Sequence, residues 1–279
     1  MKDEHFDKLK KIGICYWEGE LKGYLIKLLN HNSQYLDELI LVLGEGSKVD
    51  RESLSSKINI MEFSREGLVK RCLGDNVPSE VLNKLISSTS AMMSDLLCYT
   101  SNFFLNNYYE RVMYFDLNTL LWNPFMINEL FSVNKFPKTS KIRMFEEEGV
   151  YLSNGFKSYL SSDFSIVDKE CDLREVIVNF IRDNAQLTNY CLLGPIFLAW
   201  LYSLRFANPR YDVIEILPIE PNSLDPLNIS RVTELKHKPH SIGVTMSNTQ
   251  YKSIGYAIDD IMIYDDNTCK VYFKQYNQE

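Results

Sequence analysis

Short apolar runs alternate with helical segments through the first half of the chain, and that alternation most restricts its fold. Lys11-Ile-Gly-Ile-Cys-Tyr16 reads as a short buried strand, Leu21 to His31 has helical spacing, and Leu39 to Leu43 is a second strand ending at Gly44-Glu-Gly46. Ile58 to Phe63 alternates as a third strand, and a polar helical region follows to about Leu85, interrupted by Gly74 and Pro78. Ser90 to Leu105 is a helix apolar almost all round, which requires packing on several sides. Val112 to Phe115 is another buried strand, and Asn123-Pro124 opens a helix running through Phe131, with proline at its favoured early position. Such an order belongs to an α/β layer with a mainly parallel central sheet.

Further along, the pattern predicts a strand near Ile142 to Phe145 and helices over Leu173 to Ile181 and Gly194-Pro195 to Arg205. Strands at Val213 to Leu217 and Ser241 to Met246 follow, then a β-hairpin over about 256–275 turning at Asp265-Asp-Asn-Thr268. No Gly/Ser/Pro-rich linker and no internal repeat divides the chain, so one domain over residues 1–279 is the simplest organisation. A formal charge of −7 argues against a protein built to hold nucleic acid, because phosphate binding needs a dense basic face. The most apolar stretch, Cys191 to Leu204, falls short of the ~18 residues a membrane span needs. The amino terminus carries no signal-peptide pattern. The 6 cysteines include no C-x-x-C pair, and several lie in hydrophobic runs as small core residues; a reducing, cytoplasmic setting is expected.

There is no phosphate-binding G-x-x-x-x-G-K-[ST] loop and no G-x-S-x-G elbow. His237 and His240 lack a third ligand nearby in sequence, which argues against a histidine metal cluster. The segment with chemistry in it is Val112-Met-Tyr-Phe-Asp116-Leu-Asn118. A carboxylate at the carboxyl end of a buried parallel strand lies where open α/β sheets bind ligands. If the chain stays extended, the oxygen-bearing side chains of Asp116 and Asn118 point the same way, and such a pair can hold a hard cation that neutralises a diphosphate. A solvated strand end is the plainer reading of the triplet alone. Upstream, Asp95 sits inside the all-apolar helix, and because an unpaired buried carboxylate costs several kcal/mol it must face a donor, a cation or a polar cleft.

Ser94-Asp95-Leu-Leu-Cys98-Tyr99, then a strand with D-x-[DN], then Asn123-Pro124 and Glu129-Leu-Phe131, resembles the sugar transferases carrying the "DXD" sugar-binding motif. That group includes α-1,6-mannosyltransferases, α-1,4-galactosyltransferases and the catalytic domains of clostridial glucosylating toxins. Ile12 to Gly19 is similar to the family's first strand, with its Trp and glycine near the nucleotide base. Val150 to Gly155, Leu193-Gly194-Pro195, and Ile216-Leu-Pro218 with His240 to Val244 are similar to later blocks, so the likeness runs from about residue 12 to 250.

The resemblance implies a GT-A type, Rossmann-like nucleotide-sugar-binding fold and hexose transfer from a UDP- or GDP-sugar with retention of configuration. The acceptor would be a glycan, lipid-linked or protein hydroxyl. It implies donor binding by Trp17, Asp95, Asp116, Asn118, Gly194, Pro195 and His240, and a divalent metal, usually manganese, on Asp116 and Asn118. It nominates no catalytic base. Lys236, His237 and Lys238 form a basic cluster suited to a leaving diphosphate, with a solvated loop as the plainer reading.

The sequence also departs from the family. Cys98 stands where the family has Arg, Asn106 to Arg111 replaces a Gly-Gly, and Asn118 replaces the second Asp of the triplet, removing charge from the metal site. These departures equally fit a weak or inactive relative serving as a nucleotide-binding or protein-interaction module.

Overall fold

The computed structural model describes residues 9–105, 109–131, 150–152, 158–160, 164–168, 173–183, 215–218, 232–235, 241–245, 256–264 and 269–275. Its centre is a seven-stranded sheet. Four strands on one side are parallel: β1 (Ile12–Trp17), β2 (Glu38–Gly44), β3 (Ile58–Phe63) and β4 (Arg111–Phe115). Beyond β4, three short strands continue it antiparallel: β6 (Val150–Leu152), β7 (Ser158–Leu160) and β8 (Phe164–Asp168). The strand order is β3-β2-β1-β4-β8-β7-β6, and the parallel ladders make up most of the paired length. The α/β class with a mainly parallel central sheet therefore holds. The antiparallel extension is new relative to the sequence pattern, whose nearest strand, at 142–145, lies outside the described residues.

Between β1 and β2 runs α1 (Gly23–Ser33), and after β3 come α2 (Arg65–Leu73), α3 (Ser79–Ile86) and α4 (Ser90–Phe104). The polar region broken at Gly74 and Pro78 is thus two helices. Gly74, at φ +92°, caps the first in a backbone geometry that L side chains rarely adopt. Two of these helices start at side-chain caps: Ser64 accepts from the Gly67 amide at 3.1 Å, and Thr89 from the Met92 amide at 3.3 Å.

Side-chain alternation along β1 and β4 divides the core. Ile12, Ile14, Tyr16, Val112 and Tyr114 pack against α2, α3, α4 and α6 (Arg174–Asp183), whereas Cys15, Met113 and Phe115 face α1. On α1, Leu25, Leu28 and Leu29 are fully buried, each contributing about 1.5–3 kcal/mol. Gly13 lets α1's exit loop close on the sheet, since a Cβ there would lie 2.4 Å from Leu36 Cδ1. Cys15, Cys72 and Cys98 are buried thiols outside any disulfide, as small core residues.

After β4 the chain turns into β5 (Thr119–Leu121) and α5 (Pro124–Leu130). Antiparallel to β5 runs β11 (Ser241–Thr245), itself paired parallel with β9 (Glu215–Pro218). A third sheet has the order β10 (Val232–Leu235), β13 (Cys269–Gln275), β12 (Tyr256–Ile263); β12 and β13 are antiparallel, and Ile258 and Ile261 of β12 join the α1-side core. No helix among the described residues is long and apolar enough to cross a membrane.

Candidate functional site

The first three strands step outward, β1 to β2 to β3, and the chain then returns to lay β4 on the other side of β1. The gap between the carboxyl ends of β1 and β4 is therefore a topological switch point, where doubly wound sheets leave a crevice for ligands. Trp17 ends one of these strands, and Asp116 follows the end of the other.

At Asp116 the chain leaves the extended conformation. The Thr119 amide donates to the Asp116 carbonyl at 2.9 Å, closing a turn, while the Asp116 carboxylate accepts from the Asn118 backbone amide at 2.8 Å and from its side-chain Nδ2 at 3.0 Å. The expectation that both side chains project in parallel from an extended strand is corrected: a turn folds Asn118 back onto Asp116. This contact also orients the Asn118 amide, because turning it over would set two acceptor oxygens against each other. Asn118 Oδ1 is consequently directed elsewhere, buried and without a hydrogen-bond partner among the described residues. Burial raises the Asp116 carboxyl above its ordinary range, against the opposing pull of the two Asn118 hydrogen bonds.

The turn is held from below by α1. Asn32, fully buried, donates to the Thr119 carbonyl at 2.7 Å and accepts from the Leu121 amide at 2.9 Å, so one side chain pairs with β5 as a strand would. The Leu121 carbonyl accepts from His31 Nε2 at 2.8 Å, which places the imidazole proton on that nitrogen. Burial lowers the His31 pKa, opposed by this hydrogen bond.

Asp95, 5% exposed, lies on α4 one residue past Ser94, whose hydroxyl is hydrogen-bonded to the buried Tyr114 hydroxyl. Burial raises the Tyr114 phenol well above its usual value, and the charges of Asp116, Cys98 and Asp95 push it the same way. Asp95 and Asp116, distant in sequence, thus both lie within electrostatic reach of one phenol. Tyr114 escaped the sequence-based list, although alternation places it on the same face as Asp116.

Trp17 sits across the strand ends from that pair, its ring packed against the α1-side core and its Nε1 buried without a hydrogen-bond partner among the described residues. Cys98, where the family has Arg, is fully buried in the α4-side core, and its carbonyl accepts from Ser165 Oγ at 2.6 Å. Gly194, Pro195, Lys236, His237, Lys238 and His240 lie outside the described residues, as do Asn154-Gly155 and Glu146 to Glu148. Among the described residues, no group of three or more His, Cys, Asp and Glu side chains is arranged to hold a metal.

Two cavities in the described part lie away from this edge. One of about 520 Å³ is bordered by Lys27, His31, Tyr35 and Met262, and one of about 570 Å³ by Gly74, Pro78, Arg174 and Arg182.

No family model and no curated protein sequence matches the chain. Among solved structures, the chain is similar to the PaToxG glycosyltransferase at 16% identity and a TM-score of 0.42, covering 71% of this chain and 70% of that one. It is also similar to an active-site mutant of LgtC at 10% identity and a TM-score of 0.35, covering 64% and 66%.

Proposed function

We propose that this chain is a single-domain, GT-A type glycosyltransferase that moves a hexose from a UDP- or GDP-sugar to a hydroxyl acceptor with retention of configuration. One observation carries the reading: Trp17 ends one and Asp116 follows the other of the two strands that flank the switch point, and Asp95 on α4 acts with Asp116 on the charge of Tyr114 between them. In this reading Trp17 stacks on the base, Asp95 contacts sugar hydroxyls and Asp116 meets the ribose. Gly194, Pro195 and His240 complete the donor site, and Lys236, His237 and Lys238 face the diphosphate. A front-face reaction needs no protein base, since the leaving phosphate oxygen takes the acceptor proton as the glycosidic bond breaks.

A divalent cation, manganese in the family the sequence resembles, fits the residues present. The Asp116 carboxylate is one oxygen donor, and the burial that raises it is a cost that a cation would relieve; Asn118 Oδ1, turned away from Asp116 here, becomes a second donor when a cation displaces the Nδ2 contact. Such an ion would neutralise diphosphate charge. With one formal charge in the pair, the protein part of the site is weak.

A second reading has its own observation. Asn118 Nδ2 donates to Asp116, so the amide already supplies part of what a cation would give the carboxylate. A nucleotide-binding protein of little or no activity fits that arrangement.

Calorimetry with UDP- and GDP-sugars, with and without manganese, separates the two. Binding with turnover that Asp116→Ala abolishes supports the transferase, and binding without turnover supports the inactive relative. Turnover that survives Asp116→Ala rules out the site.

A further inference from the structure

Glu18 follows Trp17 directly, and its carboxylate accepts four hydrogen bonds. Oε1 accepts from Tyr16 Oη at 2.5 Å and Arg65 Nε at 2.9 Å; Oε2 accepts from Arg65 Nη2 at 2.7 Å and from Ser90 Oγ. Arg65 is equally consumed. Its Nη1 donates to the Ile86 carbonyl at 3.1 Å and to the Ser88 carbonyl, and Nη2 also reaches Ser90 Oγ at 3.4 Å. The five N–H groups of a guanidinium and the four lone-pair positions of a carboxylate are thereby used up. Neither group has capacity left for a ligand, so the pair cannot serve as a phosphate clamp or a base without dismantling itself.

A closed network of this kind can only hold other things in place, and its neighbours show which. It joins the end of β1, the first residue of α2, the α3–α4 connection and the first residue of α4. Asp95 lies on the same α4 helix. On the other side of Trp17, Ser47 Oγ accepts from the Gly19 amide at 3.2 Å and donates to the Trp17 carbonyl at 3.4 Å, and the Lys48 amide donates to the Gly19 carbonyl at 3.0 Å. Gly19, at φ +106°, makes the turn between these fastenings. Gly44 leaves room for the Glu18 side chain, since a Cβ there would lie 2.3 Å from Glu18 Cγ.

We infer that Glu18 and Arg65 are positioning residues for nucleotide recognition: their network fixes Trp17 at the end of β1 and sets its register against Asp95 on α4. The inference rests on the donor-site reading above and deepens it.

The test is a double-mutant cycle on the full chain, titrated calorimetrically with UDP and with GDP, with thermal unfolding recorded in parallel. Glu18→Gln keeps the shape and removes the charge that holds Arg65. Affinity is expected to fall about tenfold in an otherwise native chain and by less than about twofold in a Trp17→Leu background, where there is no ring left to position. The fall in Tm should be the same in both backgrounds. An unchanged affinity for Glu18→Gln, or an equal loss with and without Trp17, overturns the inference while leaving the donor site standing. A native chain that binds neither nucleotide overturns the donor reading, before any variant is made, and this inference with it. If Glu18→Gln does not fold, Ser90→Ala removes one of the four hydrogen bonds and should show the same dependence on Trp17, with about a threefold loss.

Discussion

Two carboxylates stand at the ends of neighbouring strands, Glu18 after β1 and Asp116 after β4, and their surroundings push them in opposite directions. Burial alone raises both. At Glu18, hydrogen bonds from Arg65, Ser90 and Tyr16 and the Arg65 charge outweigh burial and bring the carboxyl down to about 2. At Asp116 the donors are two groups of one neutral residue, burial wins, and the carboxyl is held above its ordinary value. One acid is part of the framework, closed on itself; the other keeps an electrostatic deficit with an orphaned amide oxygen beside it. A satisfied network resists change, whereas an unsatisfied one is where an outside charge gains most.

The largest effect that tests this contrast is on turnover. Asp116→Ala should reduce transfer or hydrolysis of a nucleotide sugar by about 100-fold or more, as losing the charged ligand of a cation that neutralises the leaving diphosphate does. It should leave the unliganded chain no less stable, because a carboxylate that is costly to bury has gone; loss of stability without loss of turnover would reverse the assignment. Next in size, Arg65→Met should cost about 2–4 kcal/mol in urea unfolding, less than a fully buried ion pair because Arg65 and Glu18 are 29% and 15% exposed. A cost near zero would show that the network is not framework.

The pH dependence follows from the sign of the shift. A depressed native pKa gives stability that is present above the ordinary carboxyl value of 4.5 and lost as pH falls through about 2. Unfolding free energy should therefore drop from about pH 5 to about pH 2, and Glu18→Gln should flatten that slope. Equal slopes would remove Glu18 from the account. Smallest is Asn118→Asp, which takes an amide donor from Asp116 and adds a like charge. It should lower the stability of the unliganded chain by about 0.5–1 kcal/mol and enlarge the rise in Tm on adding manganese. A Tm indifferent to manganese in both forms would speak for the inactive relative.

Much of the scaffold was legible before any coordinates. Periodicity located β1 to β4 and α1 to within a few residues, because each carries a full apolar face and its own punctuation, as Gly44 at the end of β2, Gly46 beyond it and Pro124 at α5 show. The short strands β5, β7 and β10 were not legible. Three or four residues carry too little pattern, and β5 owes its place to a buried Asn32 on α1, 87 residues earlier in the chain. At the candidate site, Asp95 and Asp116 stood out by residue type and neighbourhood, and Trp17 by the family resemblance. Tyr114 lay within the same motif and alternation would have shown it, but the Glu18–Arg65 pair left no local trace.

By itself, then, the sequence determined the layering and the order of the parallel block, since burying apolar faces with periods of 2 and 3.6 residues admits few arrangements. It also placed an aspartate at the end of one central strand and a tryptophan at the end of its neighbour. Only the tertiary structure decided how those residues are charged and aimed. The turn that folds Asn118 onto Asp116, the phenol shared with Asp95, and the network that saturates Glu18 depend on distances between groups far apart in the chain. Desolvation and hydrogen bonding fall off within a few ångströms, so no spacing along the sequence specifies them.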